Sequence, residues 1–279
     1  MQKMSAEEAF QTLRRDPRYR DLIRDAYLDE DVSAAAARFE LSGEFAEVRA
    51  LMQRHLPGGV VLDLGAGNGI VSYALARAGA AKVIALEPDP SASIGRGAVE
   101  RLCAGLPVAT LDSFGEQIPL PDASVDAVYT RQVLHHTTDL PQVLRECYRI
   151  TRPGGLFLAC REHIVDDDAQ MAEFLAKHPV HQLAGNENAY RLDEYTSAIA
   201  SAGYQNLRVL RTYDSVINAF PAVRSQQELA ALPEKRFRQA FGPLGGALAH
   251  IPPLRALYWR RLNRPVAGRM YTFVAYKPG

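Results

Sequence analysis

Over the first fifty residues the apolar positions recur at helical spacings. Phe10, Leu13, Leu22, Ile23, Tyr27, Phe39, Phe45, Val48 and Leu51 are separated by charged residues, which predicts amphipathic helices over 5–55. Ser42 is placed to cap the last of them, and Pro57-Gly58-Gly59 ends the segment. From 60 to 160 the pattern changes, and short apolar runs alternate with amphipathic ones. The runs at 60–64, 82–87, 107–111, 125–130 and 155–161 read as strands with helices between them. Such alternation implies a parallel sheet wound with right-handed crossovers. Leu140, Val143, Leu144, Cys147 and Ile150 share one face of a helix that Asp139 can cap, with Pro141 in its first turn. Pro153-Gly154-Gly155 stops the chain before the fifth strand. A helix from Asp193 to Ala202 ends at Gly203 and precedes a strand near 206–213, and the alternation at 270–277 reads as a final strand.

Composition narrows the function classes. The chain has 279 residues, 47% of them hydrophobic, which suits one large domain or one domain with additions. Its formal net charge is zero, so no global pull toward nucleic acid or a membrane surface is expected. Cys103, Cys147 and Cys160 are too few and too widely spaced for a disulfide framework or a zinc signature, and fit a reducing cytoplasm. No run of about 18 apolar residues is present, and no apolar signal core follows the first residues.

The most informative stretch is Val60-Val61-Leu62-Asp63-Leu64-Gly65-Ala66-Gly67-Asn68-Gly69-Ile70. An apolar run followed by alternate glycines is how a buried parallel strand turns into a helix while its backbone stays close to a ligand. A second apolar run, Lys82-Val83-Ile84-Ala85-Leu86, closes on Glu87 and Pro88. A carboxylate there, about 20 residues after the glycines, can accept hydrogen bonds from ribose hydroxyls.

These segments resemble the motifs of class I methyltransferases that use S-adenosylmethionine (SAM). Two further segments resemble the ubiquinone- and sterol-type small-molecule group. They are Gly115-Glu116-Gln117-Ile118-Pro119-Leu120-Pro121-Asp122-Ala123-Ser124-Val125-Asp126 and Arg149-Ile150-Thr151-Arg152-Pro153-Gly154-Gly155. Leu134-His135-His136 also matches that group. The resemblance implies a Rossmann-like α/β fold of seven strands, the last antiparallel and inserted beside the fifth. It implies a helical lid over 1–56, a SAM-binding core over 57–213, a helical insertion over 214–268 serving as acceptor cap, and a last strand within 269–279. The implied cofactor is SAM, with S-adenosylhomocysteine (SAH) as product. Cofactor-facing residues are then Asp63, Gly65, Ala66, Gly67, Glu87, Pro88, Phe114, Gly115 and Arg131. The group places an Asp against the adenine amino group, but here Phe114 stands at that position. Phe114 stacking near the base, Asp112 reaching it, and the Gly115 amide donating to the ring are the open alternatives.

In an open α/β sheet the reacting groups gather beyond the carboxyl ends of the strands. Thr130 to His136 follow the fourth strand and Arg161, Glu162 and His163 follow the fifth. His136 and His163 are candidate bases, because imidazole titrates near neutral pH. Only one of the adjacent His135 and His136 is expected to face the acceptor. Arg161 either clamps an anionic acceptor or pairs with Glu162 on the rim. His178, His181, Glu187, Asn188 and Tyr190 are weaker candidates for recognising a hydroxylated acceptor. His178-x-x-His181 has ligand-like spacing, but Pro179 lies between and no third ligand is evident, so no metal is assigned. Asp166-Asp167-Asp168 reads as a helix start. From Arg224 to Arg269 nine Lys or Arg face only Glu228 and Glu234, and Leu254, Leu257, Tyr258 and Leu262 suggest an apolar helix face there. The expectation is a cytoplasmic methyltransferase for a small molecule, most readily at oxygen, with no nucleic-acid partner and no membrane span. The rival is a SAM-binding protein of the same fold that does not methylate.

Overall fold

A computed structural model describes residues 4–185 and 187–279. Four helices come first: α1 (Ala6–Arg15), α2 (Arg20–Asp25), α3 (Val32–Glu40) and α4 (Gly43–Leu51). The core then runs β1 (Val60–Leu64), α5 (Ile70–Arg77), β2 (Lys82–Leu86), α6 (Arg96–Leu102), β3 (Val108–Leu111), β4 (Val125–Arg131), α7 (Leu140–Ile150) and β5 (Thr151–Ile164). Three helices follow, α8 (Asp168–Lys177), α9 (Pro179–Ala184) and α10 (Leu192–Ser201), and then β6 (Gln205–Leu210). The insertion is α11 (Val216–Ala219), α12 (Gln226–Phe241), α13 (Gly245–Leu248) and α14 (Pro252–Leu262), and β7 (Arg269–Tyr276) closes the chain.

The seven strands form one sheet in the order β3-β2-β1-β4-β5-β7-β6, with β7 antiparallel to both neighbours. The sheet is buried on both faces. Val61, Val83, Ala127, Tyr129 and Leu158 pack with Phe39, Phe45, Val48, Met52 and Leu75 on one side. Leu62, Leu64, Val128, Phe157 and Phe273 pack with Val143, Leu144, Cys147, Tyr195 and Ile199 on the other. Continuous apolar runs are therefore required, because alternate residues of each strand enter opposite cores. The same packing places α3 and α4 within the first core, while Phe10 and Leu13 of α1 and Leu22 and Ile23 of α2 border a large cavity.

Local chemistry fixes the helix ends. Ser42 accepts from the Phe45 amide at 3.0 Å, Asp139 from Gln142 at 2.9 Å and Asp167 from Gln170 at 2.8 Å. The acidic triplet is thus a helix start.

Two expected boundaries move, both in β5. The Pro153-Gly154-Gly155 segment lies inside the strand: Val125 pairs with Thr151, and the register then jumps so that Ala127 pairs with Leu156. At the other end β7 supplies partners to Glu162, His163 and Ile164, so these residues extend the strand instead of forming a loop. The ladder shifts between Ala159 and Glu162, where Arg161 has φ +61°. In the insertion, Leu257 of α14 is exposed, and it is Trp259 that packs against Val216, Ala219, Val223 and Leu229.

Candidate functional site

A cavity of about 1500 Å³ lies beyond the carboxyl ends of β1, β2, β4 and β5. Strand order reverses between β1 and β4, which is where open α/β sheets leave a crevice. Gly65, Gly67, Glu87, Phe114 and Gly115 line one end, and His135, His136, His163, His178 and Glu187 line the other, with Arg131 between.

At the first end the backbone follows from the glycines. Gly65, Gly67 and Gly69 have φ of +70°, +54° and +86°. A Cβ on Gly65 would sit 2.5 Å from a methyl of Val133, so this turn requires glycine for space as well as for φ. At Gly67 the nearest atom would be 3.8 Å away, so space is open above it. The Gly67 amide donates to Glu87 Oε2 at 2.8 Å, and the Asp89 amide donates to Glu87 Oε1 at 3.0 Å. The Glu87 carboxyl is largely buried, and that burial raises its pKa against the pull of the two amides. Asp63 lies beneath the loop, accepts from Ser72 Oγ at 2.6 Å and is pushed up to about 7 by burial. Ala66 and Pro88 complete the lining on this side. Phe114 is 67% exposed at the mouth, and Asp112 is paired with Arg96 at 2.8 Å.

Arg131 ends β4, with Nε 2.7 Å from Glu44 Oε1 and Nη2 3.3 Å from Oε2. Tyr27 and Phe39 flank its guanidinium. Glu44 is completely buried, so this cation borders the cavity as half of an ion pair. Asn68 Nδ2 donates to the Tyr27 carbonyl at 2.8 Å and ties the loop to the chain leaving α2. Neither Glu44 nor Asn68 was anticipated. Glu44 lies 87 residues from its partner, and no sequence spacing announces such a contact.

The other end is a cluster of imidazoles and carboxyls. Leu134–His136 form a single 3-10 turn, which brings both His135 and His136 to the cavity wall with ring centroids 4.2 Å apart. The expectation that only one would face the acceptor is therefore overturned by the tight turn. His135 Nδ1 lies 2.7 Å from Glu162 Oε2, and Glu162 also accepts the amides of Val133 and His135. With its oxygens already acting as acceptors, Glu162 fixes the His135 proton on Nδ1 and leaves Nε2 with its lone pair. Burial, with His136 and His178 nearby, lowers the His135 pKa well below the usual imidazole range.

Glu187 Oε2 sits 3.9 Å from His135 Nε2 and 3.7 Å from His136 Nε2, and Oε1 sits 3.7 Å from His178 Nδ1. Burial lifts the Glu187 carboxyl to about 7 and, with the neighbouring imidazoles, lowers His178 to about 4. His181 belongs to the α9 cap, where its amide donates to His178 Nδ1. Tyr190 donates its hydroxyl to the Thr137 carbonyl at 3.0 Å.

Two further expectations change. Arg161 and Glu162 do not pair: Arg161 Nη1 donates to the carbonyls of Ile217 at 2.6 Å and Phe220 at 3.0 Å, whereas Glu162 turns to His135. Neighbouring strand residues point to opposite faces, so the sequence adjacency was misleading. Arg161 borders the cavity but is tied to the end of α11, which removes the basis for an anion clamp. His163 Nδ1 bonds the Gly268 carbonyl at 2.8 Å, and burial, followed by the field of His135, lowers it to about 3. It is neutral near neutral pH and too weakly basic to hold an acceptor's proton there, which corrects the role first assigned to it.

Residues 62–159 match the profile of the methyltransferase domain family. The chain carries a class I SAM-dependent methyltransferase domain. The match begins in β1 and ends in β5, so it covers the strands that carry the loop, Glu87, Arg131 and the two adjacent histidines. A ubiquinone biosynthesis O-methyltransferase of Rhizobium rhizogenes is 31% identical over 155 residues, which are 54% of this chain and 61% of that protein. A dimethylglycine N-methyltransferase of Parasynechococcus marenigrum is 36% identical over 108 residues, 36% of each chain. This chain thus spans about three fifths of the length of the first relative and less of the second. In fold it is similar to a SAM-dependent methyltransferase of Mesorhizobium loti, with 16% identity, a TM-score of 0.53 and coverage of 85% of this chain and 98% of that one.

The family implies SAM as cofactor and SAH as product, and the residues at the first end of the methyltransferase domain fit them. Open space lies over Gly67, the Glu87 carboxyl borders it, and Gly65 leaves no room for any other residue. Among the described residues no helix is long and apolar enough to cross a membrane.

Proposed function

We propose that the protein transfers a methyl group from SAM to a small-molecule acceptor, at oxygen. The observation that carries this reading is the single cavity, which joins the glycine loop and Glu87 to the histidine–glutamate cluster without an intervening wall. One space can hold a donor and an acceptor side by side, and methyl transfer depends chiefly on that alignment.

Asp63, Gly65, Ala66 and Gly67 shape the donor pocket, Glu87 and Pro88 border the ribose, and Phe114 and Gly115 border the adenine. Arg131, neutralised by Glu44, flanks the methionine end. Bound SAM supplies an electrophilic methyl whose C–S electron pair stays on sulfur when the thioether product forms. The chain's residues must then orient the acceptor oxygen and accommodate the loss of its proton. His163, with its Nε2 lone pair, accepts a hydrogen bond from the acceptor. Proton removal falls to the His135, His136 and Glu187 group. Helices α1 and α2 act as a lid, since Phe10, Leu13, Leu22 and Ile23 border the cavity. Oxygen is preferred because carboxyl and imidazole groups suit a hydroxyl acceptor, and relatives include O-methyltransferases.

Incubation with SAM carrying a labelled methyl, together with a metabolite extract, tests the reading. Label in a small molecule, with SAH formed in equal amount, supports it. SAM binding without any label transfer would overturn the methyltransferase reading and favour a binding role.

A further inference from the structure

The cluster at the acceptor end has donor atoms of a kind and spacing that neither the motifs nor the relatives account for. His135 Nε2, His136 Nε2 and a Glu187 oxygen all lie within 4.8 Å of one another. The carboxylate oxygen is 3.9 Å and 3.7 Å from the two nitrogens. Donors on a tetrahedral ion with bonds of about 2.1 Å are roughly 3.4 Å apart, so a shift of a few tenths of an ångström closes the set. We propose that His135, His136 and Glu187 bind one divalent transition-metal ion of the zinc class, with an open position facing the cavity.

Three observations support this. The first is the second layer around His135. Glu162 holds Nδ1 at 2.7 Å and is itself fixed by the Val133 and His135 amides, so Nε2 is presented as a lone pair in one orientation. A carboxylate behind a histidine is the arrangement that orients ligating imidazoles in metal sites. The second is the placing of Glu187, whose other oxygen lies 3.7 Å from His178 Nδ1, so the carboxyl is approached from both sides. The third is location. All three donors border the cavity and are carried by the β4–α7 turn and the segment before α10, so a ligand can reach the ion from the donor side.

The donor set selects the ion. Two imidazoles and one carboxylate suit Zn2+, Fe2+, Co2+ or Mn2+, whereas Mg2+ and Ca2+ prefer all-oxygen sites. Three protein ligands with one position open is the pattern of reactive rather than purely structural sites. The role of the ion rests on the methyltransferase reading. Held beside the donor methyl, it would take the acceptor's hydroxyl oxygen, ease loss of that proton to water and keep the oxygen in line. The binding of the ion does not depend on that reading.

The test uses the full chain stripped of metal, titrated calorimetrically with Zn2+ alone, with Mg2+ alone, and separately with SAH. The expected result is one equivalent of Zn2+ on wild type and no binding of Mg2+. Affinity for Zn2+ should fall at least tenfold in His136→Ala and in Glu187→Gln, and roughly 10- to 100-fold in Glu162→Gln. SAH binding should be unchanged in the first two variants, which shows that they are folded. Zn2+ binding that is absent from wild type, or equally tight in His136→Ala and Glu187→Gln, overturns the proposal. If Zn2+ binds as expected while SAH does not, the metal site stands and the methyltransferase reading falls.

Discussion

The Gly67 amide and the Glu87 carboxylate, twenty residues apart, meet at 2.8 Å and lock the first loop to the end of β2. The loop's other glycines serve different needs, which makes their substitutions separable. Gly65→Ala places a methyl 2.5 Å from Val133 Cγ2 in a left-handed backbone, whereas Gly67→Ala meets nothing closer than 3.8 Å. Gly67→Ala should cost about 1–2 kcal/mol from backbone strain alone, and Gly65→Ala more than that. Urea denaturation of both variants measures the order. Equal losses would mean that Val133 yields without cost.

The Arg131–Glu44 pair is the most deeply buried ion pair bordering the cavity. Glu44→Ala leaves the guanidinium without its counter-charge and should destabilise the fold by about 3–5 kcal/mol. Replacing both partners with apolar residues should recover part of that loss. Denaturation midpoints of the single and double variants provide the comparison.

Asp63 gives stability a pH dependence of definite sign. Its folded pKa of about 7 lies above the usual value of about 3.9, so the native state holds a proton that the unfolded chain releases. Its contribution is complete below about pH 4 and is lost as pH rises through about 7. Asp63→Asn, which mimics the protonated form, should match wild type near pH 5 and exceed it by roughly 2–3 kcal/mol at pH 8. Denaturation across that range tests it, and parallel curves would rule out the shift.

Arg161 holds the carbonyls at the end of α11. Arg161→Met should lower the melting temperature and loosen residues 215–223 in hydrogen exchange, because buried carbonyls lose a charged donor. Unchanged exchange there would restore the case for an acceptor-facing role.

The sheet was legible because each strand enters two cores, so the apolar runs of β1, β2 and β4 reveal their own limits. The loop and Glu87 were legible because glycines at alternate positions and a carboxylate twenty residues on form a local pattern. The acceptor end was not. Its chemistry depends on which way Arg161 and Glu162 turn, and that is decided by a ladder shift against β7, more than 100 residues away. The pairing of Glu44 with Arg131 likewise crosses 87 residues. His163 has the right residue type at the right place, but burial, which composition does not disclose, sets its proton affinity.

Calorimetric titration of the full chain with SAM and with SAH is the most direct test of the central claim. The account predicts one equivalent bound, with affinity at least tenfold weaker in Glu87→Ala, which removes charge-assisted hydrogen bonds to the sugar. Absence of binding, or the same affinity in Glu87→Ala, would contradict it.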